Sequence, residues 1–357
     1  MVLRSLVAIA AATNLAHADG ALDELSVGNT QQTATTPQAM WLADKLAGFW
    51  DANEHWQLRA DLTGTRMYTR TLTSTGLGEP ADVLLASPSL EYDPNECWSI
   101  RGVASWSPSS PFASSASFPM RTAAGTTMPA QAALDGQSGS KGGALWLGYD
   151  STDRVFPISF TSDITATQFQ MQQQITSAID AAGNNLTIAD LDAYCAANSC
   201  TRELQSTLHK HHSSLTQIVV DGNVSQTLWK DTEIGLDAAY YAYTKDPTKV
   251  GYFASGALGR TTTSGAGMGI APYELTVMPD LIHRFGQLMV MSSLSYGRYV
   301  DAEGYDLTAT VRLQYKLKLT GARRLKLWTK LTGSRDIDAT NATSHTTSAA
   351  VGAQYVW

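Results

Sequence analysis

The sequence predicts an all-β fold, an antiparallel transmembrane β-barrel, on three observations. Hydrophobic and polar residues alternate with a period of two over segments longer than soluble strands. Charged residues make up only 16% of the 357 positions, where ordinary soluble domains run near ~25%. Nine Trp, fourteen Tyr and eight Phe accompany this low charge, a load that excludes a solvated, disordered coil. Although 43% of residues are hydrophobic, no uninterrupted apolar run approaches the ~18 residues of a spanning helix. A helical membrane protein is thereby excluded. The formal charge of −7 argues against a general nucleic-acid binder, which needs cations to meet phosphates.

Taken from the N-terminus, residues 1–18 read as a secretory signal peptide. Arg4 is the only charge, Leu6–Ala12 is apolar, and Ala16-His17-Ala18 supplies the small-x-small pattern for cleavage before Asp19. Residues 19–54 read as a polar, flexible leader followed by a short amphipathic helix. Thr36-Pro37 offers an N-cap with proline at the first helical position, and Leu42, Leu46, Phe49 and Trp50 recur at helical spacing. That helix, expected over 37–52, is read as a plug, an interfacial anchor or a packing element.

From 55 to 357 the period is two. In Tyr305–Leu319, Tyr305, Leu307, Ala309, Val311, Leu313, Tyr315, Leu317 and Leu319 alternate with polar or charged residues without an error. Soluble strands typically run ~5–6 residues, whereas a tilted membrane strand needs ~9–11. Trp56–Leu62 and Trp98–Trp106 repeat the pattern, the latter with aromatics at both ends. Further candidates are 82–92, 142–150, 153–164, 214–229, 232–244, 250–260, 273–284, 287–299, 324–333 and 346–357. Short polar connections make this an antiparallel meander. Thirteen candidates conflict with the even strand number of bacterial single-chain barrels. The alternation is weakest over 142–164, so the expectation is about twelve strands, with fourteen as the alternative. Two long loops, 108–141 and 176–212, interrupt the meander. The second holds a helix starting at Thr187, whose Thr-x-x-Asp pattern resembles a capping box.

The C-terminus carries the most specific signal. Gly352-Ala353-Gln354-Tyr355-Val356-Trp357 ends on an aromatic with a second aromatic two residues earlier. This resembles the terminal strand signal of bacterial outer-membrane β-barrel proteins. The resemblance implies insertion into outer-membrane lipid after export, with Gly352, Tyr355 and Trp357 read by the barrel-assembly machinery.

Parity then sorts the charges. Arg312, Lys316, Lys318, Lys326 and Lys330 point into the lumen from two consecutive strands, and Asp61, Glu91, Asp93, Glu233 and Asp237 point inward from earlier ones. Separate sectors of opposite sign suit a water-filled, porin-like channel for small polar or anionic solutes. The same charges could instead pair and plug the lumen, leaving a scaffold or adhesin barrel that presents its loops. An outer-membrane hydrolase is a weaker expectation: His55 and His283 are strand-associated, but no nucleophile motif accompanies them. No catalytic residue, cofactor or metal is assigned. His209, His211 and His212 form a histidine cluster without a carboxylate among them, and Lys210 would repel a cation. Cys195 and Cys200 are close enough for a local disulfide, which leaves Cys97 free.

Replacing Trp357 with Lys is expected to lower assembly into the membrane far more than final stability. The interfacial cost of Lys is only ~0–1 kcal/mol. Quantifying folded barrel in outer-membrane fractions checks this, and normal levels would refute the assembly role.

Overall fold

The computed structural model describes residues 20–32, 38–69, 81–121, 127–151, 157–198, 200, 205, 208–209, 211–247, 273–300, 304–319, 324–338 and 341–356. The expected signal peptide, candidate strand 250–260 and Trp357 lie outside them. Seven long strands form the first half: β1 (Gly20–Gln32), β2 (Gln38–Asn53), β3 (Trp56–Thr69), β4 (Ala81–Asn95), β5 (Trp98–Arg121), β6 (Thr127–Asp150) and β7 (Ile158–Ile179). After the two-residue β8 (Asn185–Leu186) and helix α1 (Ile188–Ala197) come seven more. These are β9 (His211–Trp229), β10 (Thr232–Tyr243), β11 (Tyr273–Phe285), β12 (Leu288–Tyr299), β13 (Gly304–Lys318), β14 (Arg324–Asp338) and β15 (Thr343–Val356).

Every long strand pairs antiparallel with two neighbours. β1 pairs with β15 from Leu22–Val356 to Gln32–Thr346, and β7 pairs with β6 on one side and β9 on the other. The sheet therefore closes into a fourteen-stranded barrel, with β8 appended to β7 outside the ring. Fourteen is the alternative count rather than the preferred twelve. The doubted 142–164 region contributes to two real strands, β6 and β7.

Twelve of the thirteen candidates match β3–β7 and β9–β15, and the two strands absent from the candidates are β1 and β2, where a leader and a helix were expected. Leu42, Leu46 and Trp50 are four apart, a spacing that satisfies a strand's period of two as well as a helix turn. In the barrel all three share the outward parity of Leu25 and Val27, while Trp41, Lys45 and Phe49 point inward. β1 has no clean alternation, since Asp23 faces outward and Leu22 inward. Pairing on both edges, rather than its own pattern, makes it a strand.

The outward face carries the apolar residues. On β13, Leu307, Val311, Leu313 and Tyr315 are exposed while Asp306 and Gln314 are buried. Tyr305 to Tyr315 is ten steps along the strand, ~33 Å. At a tilt of ~40° that becomes ~25 Å, the height of a lipid-facing band. Trp56, Trp98, Trp229, Phe285 and Tyr315 stand exposed next to the short turns and form one girdle. Two of those turns share a chemical device. The Asn53 side-chain oxygen accepts from the backbone N–H of His55 (2.9 Å) and Trp56 (3.1 Å). Asn95 does the same for Cys97 (2.9 Å) and Trp98 (3.1 Å). Both termini of the described chain lie at this end, which by the rule of short turns is periplasmic.

At the opposite end β5, β6 and β7 project beyond the band, at 24, 24 and 22 residues. The expected loop 108–141 is thus a paired ribbon, Ser110–Ser138 through Arg121–Thr127. Its Ser, Ala and Gly content concealed the alternation, yet Ala130, Ala132 and Leu134 are buried and Gln131, Ala133 and Asp135 exposed. The 176–212 segment contains the expected helix. The Thr187 hydroxyl accepts from Asp190 N (3.1 Å), and the Asp190 carboxylate accepts from Thr187 N (2.8 Å). Leu191 of α1 and Leu208 pack with Ala130, Ala132, Leu134, Ile175 and Ala178 in a small core. Those strand residues have lumen parity, so α1 lies on the lumen side of the ribbon, at the outer mouth. Cys195 and Cys200 are bridged beside this core, with Cα atoms 5.0 Å apart, and Cys97 is a free thiol.

Leu331→Arg, on the exposed outward face of β14, is expected to cost about 2–4 kcal/mol. Thr332→Arg, one residue on and facing the lumen, should cost far less. Urea unfolding of the barrel in lipid vesicles compares them, and equal costs would overturn the assignment of faces.

Candidate functional site in the lumen wall

Because the side-chain period is two, the register that closes the barrel also fixes what faces the lumen. β13 and β14 place three like-charged pairs directly opposite each other: Arg312 with Lys330, Lys316 with Lys326, and Lys318 with Arg324. The rung Gln314–Trp328 lies between the first two. Arg324 joins the five cations identified from sequence, having been hidden by its place at a strand start. Among the described residues none of the six lies within salt-bridge distance of a carboxylate. Glu24 is the nearest inward acid by register, aligned with Gln354 and thence with Lys326, and Gln354 Nε2 donates to it at 2.8 Å.

Arg312 is held by stacking instead. Its guanidinium carbon lies 4.6 Å from the ring centre of Trp328, a contact worth about 0.5–2 kcal/mol depending on desolvation. The Trp328 ring in turn lies flat on the neighbouring strand. A Cβ at Gly352 would come within 2.5 Å of its indole atoms. Gly28 serves Trp41 likewise on β1 and β2. Gly352 therefore has a local job, keeping a large lumen side chain against the wall. Arg312 Nε and Trp328 Nε1 are buried without a hydrogen-bond partner, while Arg312 Nη2 reaches Gln314 Oε1 at 3.5 Å.

The acids expected to oppose this sector divide into two groups. Asp61 and Glu91 point inward but are neutralised locally. Asp61 meets Arg59 at 2.6 Å and Lys45 at 3.4 Å, and Glu91 meets Arg101 at 3.8 Å. Arg101 also stacks on Trp146, 4.6 Å from its ring centre. Glu233 pairs with Arg284 at 3.2 Å, and Asp93 sits at a turn, its backbone oxygen contacted by His55 Nδ1. Asp237 belongs to a band with Asp163, Asp221 and Asp280 that no cation among the described residues neutralises. Asp163 and Asp221 are register partners, and Asp237 and Asp280 continue diagonally across β10 and β11. Parity along β7, β9 and β11 was the signal that could have found the other three. The band begins one rung beyond Arg312, since Asp280 aligns with Ser293 and Thr310.

The remaining sequence candidates do not join this wall. Tyr355 is on the outward side of β15, aligned with Leu325 and Asp23. His209 lies 3.7 Å from Asp192 at the outer mouth, and His212 is exposed on β9. For His211 only the backbone is described. No trio of His, Cys, Asp or Glu suited to a metal occurs among the described residues. His283 faces outward, bonded to the Thr232 hydroxyl at 2.8 Å.

No protein-family model matches the sequence, and no curated protein matches it. Solved structures do. A TodX monoaromatic hydrocarbon channel with the deltaS2S3 mutation is similar at a TM-score of 0.56 and 10% identity, over 95% of this chain and 90% of that one. The CymD monoaromatic hydrocarbon channel follows at 0.52 and 10% identity, over 97% and 90%. A Pseudomonas aeruginosa FadL homologue gives 0.52 at 7% identity, over 95% and 89%. The chain is thus an outer-membrane β-barrel with the fold of transport channels.

Refolded in detergent, where no assembly machinery acts, Gly352→Ala is expected to push Trp328 off the wall and destabilise the barrel by about 1–3 kcal/mol, the usual cost of overpacking. Near-UV dichroism and urea unfolding read both effects; unchanged spectra would show that Trp328 does not rest on Gly352.

Proposed function

We propose that the barrel is a passive channel for small polar solutes and that it favours anions. The observation that carries this reading is the set of six lumen cations on β13 and β14 that, among the described residues, have no carboxylate within salt-bridge reach. Like charges opposed on adjacent strands destabilise a sheet, and here the repulsion is tolerable with water and counter-ions between them. A dry, plugged lumen would instead need these side chains paired. The acidic band on β7 and β9–β11 adds a field across the lumen, a device that orders water and disfavours apolar solutes.

A second reading has its own support. Trp41, Phe49, Trp146 and Trp328 have lumen parity, as do Met278, Met289 and Met291 on β11 and β12. Such a surface suits small hydrophobic compounds, and the similar CymD and TodX proteins are monoaromatic hydrocarbon channels. The stacked guanidinium ions over Trp146 and Trp328 favour the polar alternative, because they cover the ring faces an apolar solute would use.

In planar bilayers under a salt gradient, the reversal potential of the wild-type barrel is expected to show anion preference. The double variant Lys316→Glu, Lys326→Glu should shift it toward cations. Unchanged selectivity would place the cluster away from the conducting path, and no conductance at all would favour a scaffold or adhesin barrel.

A further inference from the structure

We propose that the cation ladder of β13 and β14 is a binding track for an extended polyanion, which engages two or three rungs at once. Channel function enters this inference only by giving the ligand access to the lumen. Rungs on one face of a sheet are spaced two residues apart, about 7 Å. Lys316–Lys326 and Lys318–Arg324 are consecutive rungs. Arg312 originates two rungs from Lys316, but its guanidinium leans onto Trp328, which belongs to the intervening rung. Positive charge is thereby repeated at roughly even intervals, from mid-wall to the periplasmic mouth, over about 13–20 Å.

A compact anion would sit on one rung and leave the next uncompensated. A linear polyanion supplies a charge to each rung, and every contact after the first is intramolecular, which raises the overall affinity without a new kind of interaction. A guanidinium held by stacking presents its remaining N–H edge in a fixed plane, which favours paired oxygens of phosphate or carboxylate. Trp328 is a positioning residue in this scheme. Lys330 extends the track by one rung toward the outer mouth, where the acidic band begins and would repel the ligand, so the track has a defined upper end.

The test is calorimetric titration of the folded, detergent-solubilised full chain with inorganic orthophosphate and inorganic tripolyphosphate, at equal ionic strength and with EDTA. Tripolyphosphate is expected to bind at least tenfold tighter than orthophosphate. The Lys316→Gln, Lys326→Gln variant should lose that advantage, the Lys316→Arg, Lys326→Arg variant should keep it, and Lys141→Gln on the outward face of β6 should leave it unchanged. Heat-modifiable gel mobility verifies that each variant is folded, and the arginine variant keeps the test decisive where the glutamine variant is not. Equal affinity for the two phosphates overturns the track, as does a folded glutamine variant with undiminished binding. Length-dependent binding by a barrel that does not conduct would leave the track standing and remove the channel reading; conductance without length-dependent binding would do the reverse.

Discussion

Ring closure is the constraint on which the rest of this structure depends. In hydrocarbon an unpaired backbone N–H or C=O has no water to turn to and costs several kcal/mol, so a sheet that spans the bilayer must have no edge. β1 meets β15 over eleven register pairs, and β6 meets β7 over twenty. Closure recruits segments that would not form strands alone. β1 is mixed on both faces, yet its backbone is required to satisfy β15 on one side and β2 on the other. The need for backbone partners thus outranks side-chain pattern at the seam.

This ranking explains what was legible in the sequence. Ten of the strands from β3 onward could be read from alternation, because each has lipid on one side and water or protein on the other, whereas β6 and β7 meet at 142–164, where the alternation is weakest and one strand too few was expected. The helix starting at Thr187 could be read too, since its cap is a local hydrogen-bond exchange. The seam strands were not legible. In β2 the apolar residues four apart fit two periods at once, and the lumen face carries Trp41 and Phe49, which blur the contrast. The 108–141 ribbon failed for another reason: apart from Leu134, its buried inward residues Ala130, Ala132, Gly136 and Ser138 are small, so burial there exceeds what hydrophobicity advertises.

Within the candidate site, parity found the five cations but not their company. Which charges are neutralised depends on cross-strand register, which a single sequence does not give. Asp61 and Glu91 share parity with Asp237, yet only Asp237 stays uncompensated, because Arg59, Lys45 and Arg101 fall beside the other two. The glycines tell the same story. Gly352 reads as part of a terminal signal, but its position under Trp328 is visible only once β14 and β15 are aligned.

The two Arg–Trp stacks show how a lumen keeps cationic character without sacrificing order. A carboxylate partner would fix an arginine and also cancel its charge. An indole face fixes it through the ring quadrupole and cancels nothing. Arg101 uses both devices, with Glu91 and Trp146, and its neighbourhood is close to neutral. Arg312 has only Trp328 and a weak contact to Gln314, so its charge remains available to the lumen. The difference lies in one cross-strand partner: Arg101 faces Glu91 across β4 and β5, whereas Arg312 faces Lys330 across β13 and β14. Register, set by closure, thereby decides which charges of the wall are neutralised and which remain.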